Sequence, residues 1–304
     1  MPPSYLDRLA TRSSAVGTVL CVGLDPDPST MPPVFGRDAA GVEAFCRLVL
    51  DAALPYAAAV KPNLAFFEAF GSSGVAALER LRANVPTTVP LILDGKRGDI
   101  GSTAARLATA LFDTLGADAV TVSPYLGGSA IEPLLERADR FAYVLCRTSN
   151  EGADEFQGLV VGDDPSSGAP AEQLALRVAR RAVSWGDGQT VGLVVGATAP
   201  LDMARIRAVA PGLPFLVPGI GAQGGDLAAA LAHGPATLGP AADRTGGGLL
   251  VNVSRGIAGA ARDGKGDPGE RIAEAARDWA ARLPVLGLRP SVRPWRGTEN
   301  EVPG

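Results

Sequence analysis

The chain has 304 residues, of which 46% are hydrophobic and 20% are charged, and its formal net charge at pH 7 is −4. This composition excludes a chain that is disordered throughout, because enough apolar surface is present to form a sizeable core. The slightly negative charge argues against nucleic-acid binding, which requires a basic surface to neutralise phosphates.

Eight short runs of apolar, largely β-branched residues are predicted as strands. The runs are continuously apolar rather than alternating, which is typical of parallel strands covered on both faces. In chain order they are residues 19–24, 58–61, 89–94, 119–123, 141–147, 191–195, 215–217 and 249–253.

Helical patterns with a period of 3.6 residues lie between these strands, for example Leu107, Leu111 and Leu115. Eight β–α repeats without a polar linker predict a single (β/α)₈ TIM barrel, and a doubly wound open sheet is the alternative. We expect the barrel over residues 1–285 and a proline-containing tail over 286–304.

One segment falls outside the repeat. Residues 151–170 are rich in Gly, Asp and Ser and follow the fifth strand. A segment of this length is typical of a rim loop or lid over an active site, or of a disordered insertion.

The chain has few residues suited to metal binding or nucleophilic catalysis, and this excludes some classes of site. His233 is the only histidine, which excludes a histidine-rich metal site, and its surroundings predict a helix end. Cys21, Cys46 and Cys146 are far apart and are predicted to be reduced thiols. No segment has the ~18 continuous apolar residues of a membrane span, and the apolar stretch 15–24 is followed by no signal-peptide cleavage site. We therefore expect a cytoplasmic protein without a membrane partner.

Charged or polar residues directly follow several predicted strands, at the end of a barrel where active sites form. Asp25 follows the first strand, Lys61 ends the second and Arg255 follows the eighth. The turn 147–150 after the fifth strand offers two hydroxyls and an amide, which could contact polar edges of a ring or form a helix N-cap. Any one of these residues could be a solvated strand end, but together they predict an active site.

The segment that ends the third strand, Asp94-Gly95-Lys96-Arg97-Gly98-Asp99, is the most informative. Asp94 and Lys96 are two residues apart, so they point to the same side of a strand. Asp94 and Asp99 around Lys96 would keep its ammonium protonated, which suits a lysine that donates a proton or stabilises developing negative charge. The same arrangement disfavours a Schiff-base lysine. A structural ion-pair network is the alternative.

A glycine-rich loop, Pro218-Gly219-Ile220-Gly221-Ala222-Gln223-Gly224, follows the seventh strand. The pattern G-x-G-x-x-G is weak evidence for a dinucleotide here, because that fingerprint belongs to the first βα unit of its fold. Glycines nevertheless let backbone N–H groups approach a phosphate, and the N-terminus of the following helix favours an anion. The loops after strands seven and eight form the common phosphate site of barrels. With the guanidinium of Arg255, the loop predicts a monophosphorylated substrate.

Taken together, these motifs resemble the orotidine 5′-phosphate decarboxylase family over about residues 19–257. The strongest element is Asp94-Gly95-Lys96-Arg97-Gly98-Asp99-Ile100-Gly101-Ser102-Thr103, which matches the family pattern D-x-K-x-x-D-I-x-x-T. Segments 22–25, 218–223 and 254–256 also match in the family order, and segments 61–68 and 146–150 are similar to one bacterial branch.

The resemblance implies decarboxylation of orotidine 5′-monophosphate to UMP and carbon dioxide in pyrimidine biosynthesis, with neither cofactor nor metal. It implies a charged tetrad of Lys61, Asp94, Lys96 and Asp99. In that tetrad Lys96 protonates a C6 carbanion and Asp94 lies near the substrate carboxylate.

The resemblance also implies roles for the residues around the tetrad. Asp25 and Lys61 would hold ribose hydroxyls, Ser149 the pyrimidine edge, and Pro218 another part of the substrate. The residues implied at the phosphate are Gly221, Gln223, Ser254 and Arg255. Asp99, Ile100 and Thr103 would reach into the active site of a neighbouring subunit, so the resemblance implies a homodimer with shared active sites.

Two other functions remain open from the sequence. A Mg²⁺-dependent decarboxylase of a sugar-phosphate keto acid shares the D-x-K-x-x-D spacing, and a catalytically inactive barrel that binds a phosphometabolite could be regulatory. Lys61-Pro62-Asn63 and Thr148-Ser149 favour a nucleotide over the sugar phosphate, and the presence of all four tetrad charges disfavours the inactive barrel.

Overall fold

Eight parallel strands form one sheet that curves into a nearly closed barrel in a computed structural model, which describes residues 3–163, 170–186, 188–262 and 264–286. The strands are β1 (Leu20–Leu24), β2 (Ala59–Pro62), β3 (Ile92–Arg97), β4 (Ala119–Val122), β5 (Phe141–Arg147), β6 (Val160–Val161), β7 (Glu172–Gln173), β8 (Val191–Val195), β9 (Phe215–Val217) and β10 (Leu250–Val253).

The strand order in the barrel is β2-β1-β10-β9-β8-β5-β4-β3, and single bridges between Val60 and Leu91 and between Asn63 and Asp94 join the two outermost strands. The predicted (β/α)₈ barrel is therefore confirmed, and the doubly wound alternative is wrong.

The predicted strands match the barrel strands closely, with one displacement. The third strand was expected over 89–94 but runs over Ile92–Arg97. Its charged end stays in the sheet because Arg97 pairs with Val122 of β4 after an irregularity in register.

Helices cover the outside of the sheet, as expected for parallel strands that are apolar on both faces. The predicted stripe at residues 107–115 begins on an α-helix but ends on a π-helix, Thr109–Thr114, with Leu111 and Phe112 buried. His233 is the last residue of its helix, as predicted. The α-helices are α1 (Tyr5–Val16), α2 (Ala39–Ala53), α3 (Leu64–Glu68), α4 (Gly71–Asn84), α5 (Gly101–Ala108), α6 (Glu132–Leu135), α7 (Leu174–Trp185), α8 (Pro200–Val209), α9 (Leu227–His233), α10 (Gly239–Ala242), α11 (Arg255–Ala258) and α12 (Pro268–Arg282).

Helix α1 closes the amino-terminal end of the barrel. Tyr5 is fully buried, its ring stacks on Phe141 with 4.8 Å between ring centroids, and its hydroxyl lies 3.1 Å from the hydroxyl of Tyr143. These side chains fill the interior of the barrel at this end, so the interior opens towards the opposite end of the strands.

The segment that falls outside the barrel repeat has its own local structure. It contains a 3₁₀-helix, Glu151–Glu155, and β6, which pairs antiparallel with β7. The central part of the predicted insertion, 164–169, lies outside the described residues, as does the predicted tail apart from Leu286.

The cysteines are free thiols buried in the fold, as predicted: Cys21, Cys46 and Cys146. Over the described ranges, no helix is both long enough and apolar enough to cross a membrane.

Asp118, directly before β4, joins several elements at the closed end of the barrel. Its buried carboxylate accepts hydrogen bonds from Arg8, from Arg140 at 3.2 Å and from the backbone N–H of Leu91 at 2.9 Å. Breaking a buried ion pair by removing one partner leaves an uncompensated charge.

We predict that Asp118→Asn lowers the free energy of unfolding by about 3 kcal/mol in urea denaturation. Asp113→Asn is the matched control, because Asp113 pairs with Arg137 on the surface, and exposed pairs contribute about 1 kcal/mol or less. Equal losses in the two variants would show that Asp118 has no special role.

Candidate active site

A cavity of about 540 Å³ opens at the carboxyl-terminal end of the barrel strands. Its volume suits one small-molecule ligand, since ligand sites usually range over about 300–1,000 Å³. Every barrel strand contributes a residue to it, directly or just beyond its last residue. These residues are Asp25, Lys61, Asp94, Lys96, Thr121, Leu145, Val194, Leu216, Pro218 and Asn252.

Asp94 forms ion pairs with two lysines in this cavity. Its Oδ2 lies 2.8 Å from Lys61 Nζ and its Oδ1 lies 2.7 Å from Lys96 Nζ. The Lys61 side chain is 5% exposed, whereas that of Lys96 is 48% exposed. We call this group the Lys61–Asp94–Lys96 triad; in it Lys61 is buried in the protein and Lys96 reaches the open part of the cavity.

The triad keeps its buried groups charged. Burial alone would raise the pKa of Asp94, but the charges of Lys61 and Lys96 and their hydrogen bonds hold this pKa well below its usual range. Burial alone would lower the pKa of Lys61, but the charges of Asp94 and Asp25 raise it above its usual value. Lys61 is therefore a fixed cation rather than a neutral nucleophile at pH 7.

The predicted contact between Asp94 and Lys96 is present, but strand alternation is not its cause. Lys96 has φ +49°, and it is the one non-glycine residue of the described ranges with a positive φ. Such a conformation costs roughly 1–3 kcal/mol and persists only where the surrounding structure holds it. The bend in β3 thus returns the Lys96 side chain to Asp94.

Asp99, Ile100 and Thr103 lie outside the cavity of their own chain. The Asp99 carboxylate accepts a hydrogen bond from the backbone N–H of Ile100 at 2.8 Å, and Ile100 is 62% exposed. The structure therefore brings three of the four tetrad residues together, and Asp94 is the only tetrad carboxylate in contact with Lys96 within the described part of one chain.

The glycine-rich loop forms the opposite wall of the cavity, together with the turn after β5. Gly219 has φ +95°, and a Cβ atom there would lie only 2.9 Å from the Cβ of Ser149. The Ser149 hydroxyl donates to Oε1 of Gln223 at 3.1 Å. Arg255 lies at the start of α11 and lines the same wall, whereas Gly221 lies in the loop just outside the lining.

The helix that follows the glycine-rich loop has a carboxylate at its N-terminus. The N-terminus of α9 is capped by Asp226, whose carboxylate accepts from the backbone N–H of Ala229 at 2.9 Å. The positive end of this helix therefore already faces one negative charge, and the anion site expected there stays a prediction.

Two residues that line the cavity each carry a buried oxygen atom without a hydrogen-bond partner in the described part of the chain, Asp25 Oδ1 and Asn252 Oδ1. The other carboxylate oxygen of Asp25 accepts from the Ser254 hydroxyl at 2.6 Å. Ser254 therefore contacts Asp25 rather than presenting a free hydroxyl to the cavity. An unpaired buried acceptor costs about 1–3 kcal/mol, so the two oxygens raise the free energy of the folded state.

Four polar lining residues lie outside the predicted site residues and the turn 147–150: Asn63, Thr121, Gln157 and Asn252. Thr121 and Asn252 each interrupt an otherwise apolar strand, which is a signal that could have identified them. Gln157 carries no such signal, because it comes from the segment outside the repeat. Its side-chain amide holds Thr148, accepting from the backbone N–H and donating to the hydroxyl, both at 2.8 Å.

The alternative N-cap role for the turn 147–150 is not supported. Asn150 directly precedes the 3₁₀-helix Glu151–Glu155, but its side chain makes no capping hydrogen bond. Thr148, Ser149 and Asn150 instead line the cavity. Throughout the described ranges, no group of three or more His, Cys, Asp or Glu residues is arranged to hold a metal ion.

Known proteins are similar to this chain in both sequence and fold. A sequence profile of the Orotidine 5′-phosphate decarboxylase / HUMPS family matches residues 18–266. The chain belongs to that family. A relative named orotidine 5′-phosphate decarboxylase from Thermomicrobium roseum is 45% identical over 282 residues, 92% of this chain and 93% of its own length. One of the same name from Natronomonas pharaonis is 48% identical over 256 residues, 84% of this chain and 88% of its own length.

Solved structures of the family agree with the barrel. The structure of Leishmania donovani OMP decarboxylase is 40% identical with a TM-score of 0.75, and the match covers 92% of this chain and 99% of that one. A structure of Leishmania donovani UMP synthase is 43% identical with a TM-score of 0.76, and the match covers 91% of this chain but 55% of that longer chain.

The low pKa of Asp94 predicts a pH-dependent contribution to stability. A carboxylate with a folded-state pKa below its unfolded value of about 3.9 stabilises the fold above that pH, and this stabilisation is lost as the pH falls through the folded-state value. Asp94→Asn should therefore lower the free energy of unfolding by about 3 kcal/mol at pH 7. Urea denaturation should show this deficit shrinking as the pH falls from about 4 to 2. If the loss in free energy of unfolding stayed constant over this pH range, Asp94 would not have a lowered pKa in the folded state. The control Asp113→Asn should show only a small loss at every pH.

Proposed function

We propose that this chain converts orotidine 5′-monophosphate to UMP and carbon dioxide, as a step of pyrimidine biosynthesis. The chain is an enzyme of the carboxy-lyase class by its family, whose named relatives match most of its length. The observation that carries the proposal is the Lys61–Asp94–Lys96 triad at one end of a cavity whose other end is the glycine-rich loop with Arg255. These two ends suit a reacting carboxylate and a phosphate.

Lys96 is the proton donor of the proposed reaction. The bond between C6 and the substrate carboxylate breaks, the electron pair stays on C6, and carbon dioxide leaves. The Lys96 ammonium stabilises the negative charge that develops on C6 and then transfers a proton to it. Its partial exposure lets the amine regain a proton from water. Asp94 holds Lys96 in place and lies near the substrate carboxylate, and the step draws on no cofactor or metal.

The rest of the substrate is held along the cavity. Asp25 and Lys61, which both line the cavity, hold ribose hydroxyls. Ser149 contacts the pyrimidine edge, and Pro218 contacts the substrate from the wall beside it. The phosphate lies against Gln223 and the Arg255 guanidinium, at the end of the cavity where Gly221 and Ser254 also lie.

The proposed enzyme is a cytoplasmic homodimer with shared active sites and no nucleic-acid or membrane partner. Asp99, Ile100 and Thr103 lie together on the rim around the start of α5, outside the cavity of their own chain. The large exposed fraction of Ile100 supports burial of this rim against a second copy.

Carbon dioxide release from orotidine 5′-monophosphate, measured with and without EDTA, tests the function. We expect full activity in EDTA. Release from a sugar-phosphate keto acid that is lost in EDTA would favour the Mg²⁺-dependent decarboxylase, and no release from either substrate would favour the inactive binding barrel.

Lys96→Ala should abolish turnover. Loss of a general acid alone lowers kcat by about 10²–10⁴-fold, and loss of carbanion stabilisation should lower it further. UMP should still bind, because Gln223 and Arg255 are intact. Lys265→Ala, which removes an exposed lysine before α12, is the control and should match the wild type. Retention of more than about a tenth of wild-type activity, a loss of only ~1.4 kcal/mol, would rule out Lys96 as proton donor.

Shared active sites predict complementation between two inactive variants. Lys96→Ala and Asp99→Ala chains should each be nearly inactive alone. In a mixed dimer, one site combines Lys96 of one chain with Asp99 of the other and is intact, while the second site lacks both. Co-refolding equal amounts should make about half of the dimers mixed, so about a quarter of all sites are active. If mass spectrometry confirms the mixed dimers and activity stays at the sum of the two variants, Asp99 acts in its own chain.

A further inference from the structure

Strand β3 contains a β-bulge at the position of the triad. In the pairing of β3 with β4, Leu93 lies opposite Val120 and Arg97 lies opposite Val122. Between these two pairs β3 has three residues and β4 has one, so β3 carries two extra residues. Bulges of this kind often lie beside active sites, because they redirect a side chain that regular pairing would fix.

Thr121 of β4 lies opposite this bulge, between Val120 and Val122. It is 2% exposed, and its Oγ1 accepts a hydrogen bond from the Lys96 backbone N–H at 3.0 Å and donates one to Asp94 Oδ1 at 2.9 Å. The direction is fixed, because a hydroxyl has a single proton and an ionised carboxylate can only accept. The Thr121 side chain therefore replaces the backbone hydrogen bonds that the bulge interrupts.

The two hydrogen bonds of Thr121 affect both the backbone and the ammonium group of Lys96. One holds its backbone in the left-handed conformation, and the other holds Asp94 Oδ1, the same oxygen that accepts from Lys96 Nζ. The bulge also depends on Gly95, since a Cβ atom at that position would lie 2.7 Å from Cδ1 of Leu64. With the path of the backbone set in this way, the position of the ammonium follows from the two hydrogen bonds of Thr121.

We propose that Thr121 is a positioning residue for Lys96. Its hydroxyl holds the lysine in the conformation from which the ammonium reaches the reacting carbon. This inference rests on the proposed function, in which Lys96 donates the proton. A misplacement of about 1 Å can cost about 100-fold in rate even when the substrate still binds, so the effect falls on kcat rather than on KM.

The chain offers a matched control for a buried threonine. Thr18, at the closed end of the barrel, is equally buried, and its hydroxyl also accepts from a backbone N–H, that of Leu20 at 3.1 Å, and donates to an oxygen, the Leu283 carbonyl at 2.7 Å. Thr18→Val removes the same kind of hydrogen bonds far from the cavity. It therefore reports the purely structural cost of replacing a threonine hydroxyl by a methyl group.

The experiment compares Thr121→Val, Thr121→Ser, Thr121→Ala and Thr18→Val with the wild type by steady-state kinetics and thermal unfolding. Thr121→Val should lower kcat about 100-fold with KM changed less than about threefold, and Thr121→Ser should stay within about fivefold of wild-type kcat. Thr18→Val should keep wild-type kcat even if its melting temperature falls as much as that of Thr121→Val. If Thr121→Val does not fold, kcat of Thr121→Ser should exceed that of Thr121→Ala by about tenfold or more.

Wild-type kcat in Thr121→Val, or equal losses in the Val and Ser variants, would overturn the inference. A wild-type protein that releases no carbon dioxide would overturn the proposed function instead. In that case a crystal structure of Thr121→Val, or of Thr121→Ala, still decides about Thr121. Lys96 should leave the left-handed region and its Nζ should move beyond ion-pair distance of Asp94, and an unchanged Lys96 would refute the positioning role.

Discussion

The site depends on a single carboxylate, that of Asp94, which forms ion pairs with two lysines. A lysine as deeply buried as Lys61 cannot remain charged by itself, because transferring an unpaired ammonium from water to the interior costs several kcal/mol. Asp94 compensates that charge with one oxygen and uses the other to hold Lys96 at the edge of the open space. Replacing any member of the triad therefore changes the charge balance of the other two, so stability and chemistry are coupled in these three side chains.

The barrel separates the requirements of stability from those of chemistry. At the amino-terminal ends of the strands, the Tyr5 ring of α1 stacks on Phe141 of β5, and arginines neutralise the buried Asp118. At the carboxyl-terminal ends, the floor of the cavity is apolar and its walls are polar, with unpaired oxygens on Asp25 and Asn252. Unpaired buried acceptors and a left-handed lysine both raise the free energy of the folded state. The tightly packed opposite end offsets these costs.

Much of this arrangement could be predicted from residue patterns, and the exceptions have physical causes. Continuous apolar runs identified all eight barrel strands, because parallel strands covered on both faces leave a simple signal. The extension of β3 to Arg97 was missed because a bulge has no periodic pattern. Gln157 was missed because it comes from outside the repeat, and Asp226 shows that a helix after a glycine-rich loop can cap itself. Asp99 was expected beside Lys96 but lies outside the cavity of its own chain, because the glycine turn at the end of β3 carries it to the rim.

The pairing of the first and last barrel strands has a consequence for the order of folding. Strand β1 pairs with β2 on one side and with β10 on the other, where Leu20 lies opposite Val251. The hydrogen bond between Ser254 and Asp25 likewise joins residues 229 positions apart. During synthesis from the amino terminus, β1 emerges long before β10 exists, and contacts of such large sequence separation form slowly because the intervening chain must first be ordered. The part of the cavity around Asp25 is therefore among the last to be completed. A nascent chain that already contains β2 and β3 but not yet β10 still has no complete ligand site.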